Sequence, residues 1–447
     1  MRSLAASLKA SPATVHAAYR ILRQRGFVIA EGRRGTRVAP RPPLRIPRRR
    51  PAPHDPAPQD RTPRDRAPQD RAPQDHAPQD HAPQDGHRAP PGPVPPRGDL
   101  SLGFPDPALL PPIRTALARL DLDRKLEIAT LDANDPDLLE LAVASFAADD
   151  VATGAVAVVA GALDGIERVL NAHLRPGDRV LLEDPAYPPT RDLLTALGLV
   201  AVPAPVDDHG LMPEQVLAAL ERGVDAIVAV PRAQNPFGSA LDPQRAADLR
   251  AVLAERSDAL IIEDDHASVV AGAPYTSLIP TGWPRWAVVR SVSKVLHPDL
   301  RLAFVAGDET TVARAEGRQW LGPRWVSHIL QATVANLLTE PGFPAAAERA
   351  RDAYASRRNA LVAALRERGI RAHGRSGLNV WVPVREEAPV LRSMFEAGWL
   401  VLAGERCRLA TPPAIRVTTA TLHEDDAPEV AETIAAASDR DRPRRAY

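Results

Sequence analysis

The chain has 447 residues, 44% of them apolar and 25% charged, with a single cysteine, Cys407. These proportions are those of a soluble globular protein with a large core. One cysteine excludes an internal disulfide and fits a reducing cytoplasm, and no apolar run approaches the ~20 residues of a membrane span. The 56 basic and 56 acidic residues cancel. However, residues 1–50 hold thirteen basic side chains against one acid, Glu31, and a basic head on an acidic body points to a polyanionic partner, most simply nucleic acid.

Residues 1–39 have the pattern of a small helical domain. In "RSLAASLKA", Leu4, Ala5 and Leu8 share one helical face. "SPATVHAAYRILRQRGF" opens with Ser11 as a helix cap and Pro12 at the first helical position. Val15, Ala18, Tyr19 and Leu22 then follow at helical spacing, and Gly26 closes the helix. "FVIAEGRRGTRVA" reads as two short strands around a Gly-Arg-Arg-Gly turn. Helix, tight turn, helix and β-wing is the order of a winged helix-turn-helix DNA-binding domain.

Residues 40–97 are predicted to be a Pro-rich disordered linker. An "APQDR/APQDH" unit recurs every five residues. Proline at that interval blocks helices and ladder pairing, and the unit has nothing apolar to bury.

Residues 98–447 alternate strand-like and helical runs. "AVAVVAG" precedes "LDGIERVLNAHL", "DRVLLED" precedes "PTRDLLTALG", and "DAIVAVP" precedes "DPQRAADLRAVLAER". "ALIIEDD", "WAVVRSVS" and "RLAFVAG" continue the series. Short apolar strands between amphipathic helices predict an α/β fold, a mostly parallel sheet covered on both faces. We expect a large lobe over about 125–325 and a small α+β lobe over about 326–447 together with 98–124.

Within this domain Lys294 stands out. The whole chain has three lysines, Lys9, Lys125 and Lys294, so nearly every basic position is arginine. A lysine can shed its proton and form a Schiff base with a carbonyl, which arginine cannot. A Schiff-base cofactor such as pyridoxal 5'-phosphate needs further parts, and the sequence supplies candidates. Gly161, Ala162 and Leu163, at a strand–helix junction, offer backbone N–H groups to a phosphate. Ser291 offers a hydroxyl and Arg301 a guanidinium. Asp264, at the end of the strand "IIEDD", suits a protonated ring nitrogen. Asn235 in "QNPFG" suits the ring oxygen, and Tyr187 in "EDPAY" suits the ring face. No metal site is expected.

The motifs "AGA" (160–162), "EDPAY" (183–187), "QNPFG" (234–238), "IEDDH" (262–266) and "SVSKVLHPDLR" (291–301) resemble those of the fold-type I pyridoxal phosphate-dependent transferases of the aspartate aminotransferase kind, over about 98–425. The resemblance implies that Lys294 forms the internal aldimine, that the residues named above bind the cofactor, and that Arg416 in "PPAIRVTTATL" holds a substrate or effector carboxylate. Two positions depart from the pattern. His266 stands where relatives often carry a tyrosine near the ring oxygen, and "NPFG" replaces the commoner Asn-Pro-Thr-Gly.

Head, linker and body together resemble the MocR-type regulators of the GntR superfamily. That resemblance implies a homodimer in which the large domain senses an amino compound or the cofactor itself and the winged helix binds operator DNA. Ser11, Thr14, His16 and Arg20 would then face the major groove and Arg33 and Arg34 the wing tip. The family's domain has a further helix ahead of "RSLAASLKASPATV", so an incomplete head lacking its first helix is expected. The alternative reading is a working class I/II aminotransferase, moving an amino group between an amino acid and a 2-oxo acid, with a vestigial head.

Overall fold

The computed structural model describes residues 11, 14, 15, 18, 19, 28–30, 36–38, 97–121, 123, 132–256 and 258–440. His16, Arg20, Arg33, Arg34 and the repeats of the linker lie outside the described residues. In the head, the Ser11 hydroxyl accepts from the Thr14 N–H at 3.0 Å and pairs with the Thr14 hydroxyl at 2.8 Å, as an N-cap does. Strands β1 (Val28–Ala30) and β2 (Thr36–Val38) pair antiparallel, Ile29 opposite Arg37.

The body begins with the two-residue strand β3 (Gly98–Asp99). The main sheet is built from β4 (Ala155–Val159), β5 (Arg179–Asp184), β6 (Val200–Asp207), β7 (Gly210–Leu211), β8 (Ala226–Ala229), β9 (Leu260–Asp265), β10 (Trp286–Ser291) and β11 (Ala303–Gly307). Its order is β4-β11-β10-β9-β8-β5-β6-β7, with β11 and β7 running against the rest. β8 and β9 are buried along their whole length, as strands covered on both faces must be.

Helices Ala162–His173, Pro188–Ala196 and Glu309–Trp320 bring Ile166, Leu170, Leu194, Val312 and Ala315 into one core with β4, β5 and β9 to β11. Helices Pro213–Glu221 and Pro243–Arg256 bring Val216, Ala219, Leu249 and Leu253 into another. Local chemistry starts these helices. Asp308 caps Glu309–Trp320 by accepting from the Thr311 N–H, and Pro136 opens Pro136–Ala147 behind the Asp135 cap.

The small lobe holds β12 (Asn379–Pro383), β13 (Trp399–Leu400), β14 (Leu402–Ala403) and β15 (Ala414–Thr418). β12, β15 and β14 form an antiparallel sheet, and β13 pairs with β3. Its core joins Leu100 and Val380 to Leu361, Met394 and Ile434 of the helices Phe343–Glu367, Glu387–Glu396 and Ala427–Arg440. One expectation needs correction. Residues 107–118 and 328–338, assigned above to the small lobe, pack in the large-lobe core, where Ala116, Val334 and Leu337 meet Leu138, Phe146 and Val288. The helix Phe343–Glu367 belongs to both cores, with Tyr354 in the first and Leu361 in the second, so the lobes divide partway along it. Among the described residues no helix is long and apolar enough to cross a membrane.

Candidate cofactor site

The C-terminal ends of the parallel strands converge with the start of the helix after β4, where open α/β sheets place their ligands. Lys294 lies in the turn after β10 and is partly buried. Its Nζ donates to the Gly103 carbonyl at 2.5 Å and sits 5.7 Å from the centre of the Phe104 ring. Burial first, then the charge of Arg416, pulls this ammonium down to about 8, with Arg301 adding and Asp264 opposing. A lysine so placed has a reactive neutral fraction near neutral pH.

Asp264 is the penultimate residue of β9. It is 7% exposed, and its Oδ1 is buried without a hydrogen-bond partner. Burial and the neighbouring Asp265 charge push its carboxyl up to about 7, against the pull of Lys294. His266 follows, held neutral by burial and the Lys294 charge, which push it down to about 4 against the pull of Asp265.

At the end of β4, Gly161 caps the helix Ala162–His173 with φ +98, a conformation open to glycine. A Cβ there would lie 2.9 Å from Arg301 Nη2, so only glycine lets this guanidinium come so close. Ala162 and Leu163 open the helix, where N–H groups lack intrahelical partners and the helix end favours anions. The acid in that first turn, Asp164, is turned aside. It accepts from the Ala160 N–H and pairs with Arg168 at 2.7 Å. Arg301 is itself left-handed, φ 44, and among the described residues forms no ion pair. The Ser291 hydroxyl donates to Ser293 Oγ at 3.0 Å and accepts from the Ser293 N–H at 3.2 Å.

Asn235 and Arg416 meet on the other side. Arg416, on β15, is 3% exposed. Its Nη1 donates to Asn235 Oδ1 at 3.0 Å and its Nη2 to the Ser101 carbonyl at 2.6 Å, while its Nε is buried without a partner. Tyr187 begins the helix Pro188–Ala196; burial raises its hydroxyl, and the charges of Arg416, Asp264 and Arg301 all act on it. The structure thus brings Gly161, Ala162, Leu163, Tyr187, Asn235, Asp264, His266, Ser291, Lys294, Arg301 and Arg416 into one region.

Three features escaped the sequence reading. The strap Ser101–Phe104 supplies the carbonyls that meet Lys294 and Arg416, and it is anchored at Asp106 by Tyr354 (3.1 Å) and Arg357 (2.9 Å). Asp184 is fully buried and accepts the N–H groups of Leu409, Ala410 and Thr411, tying the small lobe to the end of β5. Beneath the site, Arg232 and Arg290 share Asp265 and Asp149. An arginine inside the apolar run "AVVRSV" is a readable signal for the last; the strap and Asp184 have none.

The residues present fit pyridoxal phosphate: a partner-free buried carboxylate oxygen, a glycine cradle beside a guanidinium with no ion pair among the described residues, and a lysine of lowered basicity. Residues 99–434 match the family model for class I and II aminotransferases. The chain is 37% identical over 347 residues to the vitamin B6 salvage pathway transcriptional repressor PtsJ of Salmonella typhimurium, covering 77% of this chain and 80% of that one. It is 31% identical over 226 residues to the HTH-type transcriptional regulator TauR of Rhodobacter capsulatus, covering 50% of this chain and 46% of that one. Pyrococcus horikoshii kynurenine aminotransferase shares the fold with TM-score 0.70 at 20% identity, over 77% of this chain and 91% of that one. The chain belongs to the class I and II aminotransferase family and, within it, to the MocR-type regulators of the GntR superfamily. Its cofactor is pyridoxal 5'-phosphate.

Proposed function

We propose that this chain is a cytoplasmic, DNA-binding transcriptional regulator whose aminotransferase-like domain binds pyridoxal phosphate and reports on it or on an amino compound. The observation that carries the cofactor reading is the unpartnered Oδ1 of Asp264, buried close to Lys294. Lys294 would hold the cofactor covalently and Asp264 would accept from its ring nitrogen. Asn235 and His266 would donate to its ring oxygen, and Tyr187 would lie on its face. The N–H groups of Gly161, Ala162 and Leu163, the Ser291 hydroxyl and Arg301 would hold its phosphate. When bound, the cofactor supplies an electron sink through its protonated ring. Arg416 would take the carboxylate of an amino-acid ligand, which must displace the Ser101 carbonyl from it.

Because the relative PtsJ is named a vitamin B6 salvage pathway repressor, we take pyridoxal phosphate itself as the first effector to test. DNA contacts would come from Ser11, Thr14, His16 and Arg20 in the major groove and from Arg33 and Arg34 at the wing, in a homodimer on operator DNA. Phosphate contacts by these arginines would make affinity fall steeply with salt. A gel shift of the full chain with DNA flanking its own gene tests this. Retardation that weakens with salt is expected; no retardation at low salt would overturn the reading. Steady transamination at ~1 s⁻¹ or faster would mark a working aminotransferase instead.

A further inference from the structure

On the face of the sheet opposite Asp264 lies a closed group of four charges. Asp265 receives Arg232 through both carboxylate oxygens, at 2.8 and 2.9 Å, and Arg290 at 2.7 Å. Asp149 accepts from Nη2 of the same two arginines, at 3.1 and 2.6 Å. Arg290 also donates to the Ser145 carbonyl at 2.7 Å and to its hydroxyl at 2.9 Å. Phe146 lies 4.6 Å from Arg290, and Tyr275 lies 5.3 and 5.5 Å from the two guanidiniums. The side chains of Asp265, Arg290 and Arg232 are 0%, 3% and 5% exposed.

Each member sits beside a residue of the cofactor site. Asp265 follows Asp264 on β9. Arg290 pairs across with Asp265 on β10 and immediately precedes Ser291, four residues before Lys294. Arg232 lies in the loop after β8, three residues before Asn235. A buried charge group that merely stabilised the fold could lie anywhere in the core. This one fastens the three chain segments that carry Asn235, Asp264 and Lys294 to a single carboxylate. The forked bonds of two arginines fix direction as well as distance.

We propose that Asp149, Arg232, Asp265 and Arg290 form the positioning device of the cofactor site, with Asp265 as its hub, setting where Asp264, Asn235 and Lys294 stand. This rests on the reading of the site as a pyridoxal phosphate site. Besides Asp265, the titratable groups around Asp264 are His266 on its own strand end, Lys294 after β10, Glu183 on β5 and Tyr187 after it. The Asp265 charge opposes ionisation of Asp264, and Lys294 favours it. Removing the Asp265 charge therefore lets Asp264 ionise at lower pH.

The test is titration of the full chain with pyridoxal phosphate, followed by visible absorbance across pH, for wild type, Asp265→Asn and Arg290→Lys. Asp265→Asn is expected to bind at least tenfold more weakly, with the acid midpoint of its uptake moved to lower pH. Arg290→Lys keeps the charge and loses the fork. It is expected to bind at least tenfold more weakly with the midpoint unmoved, and it carries the test alone if circular dichroism shows Asp265→Asn unfolded. A folded variant with wild-type affinity and midpoint overturns the proposal. A folded Asp265→Asn with weaker binding but an unmoved midpoint overturns Asp265 as the hub. If the wild type takes up no pyridoxal phosphate, the reading of the site fails first and this proposal falls with it.

Discussion

Asp264 and Asp265 are consecutive residues of β9, facing opposite sides of one sheet, and their surroundings differ as much as two carboxylates can. Asp265 has both oxygens held by Arg232 and Arg290. Burial raises its carboxyl, but these hydrogen bonds and charges outweigh that and hold it below the usual range. Asp264 has an oxygen with no partner and is pushed up to about 7. Leaving a buried acceptor unmet is unfavourable. The fold completes the charge that binds its strands together and leaves open the one beside Lys294. The same contrast separates Asp164, paired with Arg168, from Arg301, which has no ion pair among the described residues.

Substitutions can break or sharpen that contrast. The largest effect is expected from Lys294→Ala, which should abolish covalent uptake of pyridoxal phosphate, read as complete loss of the visible absorbance band. Next, Asp265→Asn leaves two buried arginines short of their shared anion and should lower stability by roughly 3–5 kcal/mol, measured by urea unfolding.

Its neighbour should behave in the opposite sense. The Asp264 carboxyl is raised from an ordinary 3.8 to about 7 in the folded chain. The folded state therefore holds that proton more tightly than the unfolded chain. The stability it withdraws is absent at low pH, grows as pH rises from 3.8 through about 7, and is full above. Asp264→Asn carries no such charge. Without added cofactor it should match wild type near pH 4 and exceed it by roughly 2–4 kcal/mol at pH 8, while binding pyridoxal phosphate more weakly. Urea unfolding at the two pH values checks this; equal stability at both would show that Asp264 is not held against its ionisation.

Smaller effects concern the strap side. Arg416→Gln should weaken an amino-acid ligand by about 1.5–3 kcal/mol, the range for a hydrogen bond to a charge, measured by calorimetry. Phe104→Ala removes a ring facing the Lys294 ammonium and should change cofactor affinity by about 0.5–1 kcal/mol.

The architecture was legible because it is written in local pattern. Short apolar runs such as "AIVA" and "ALIIED", set between longer amphipathic runs, read as strands covered on both faces, and the structure buries both along their whole length. Lys294 stood out by composition, and Gly161 and Asp264 by their places at strand ends. What surrounds them was not legible, because it comes from far along the chain. Asp149 reaches Arg290 across 141 residues, Ser101 reaches Arg416 across 315, and Asp106 reaches Arg357 across 251. The lobe boundary was misplaced for a related reason. An apolar helix such as His328–Leu338 does not reveal in its own sequence which of two cores will bury it.

The central claim is that what happens at Lys294 is felt at the DNA. It is tested most directly by gel shift of the full chain on DNA flanking its own gene, at fixed salt, with and without pyridoxal phosphate, for wild type and Lys294→Ala. The account expects the cofactor to move the wild-type midpoint at least tenfold and to leave Lys294→Ala where it was. A wild-type midpoint indifferent to the cofactor, or a Lys294→Ala protein that responds as wild type does, would contradict it.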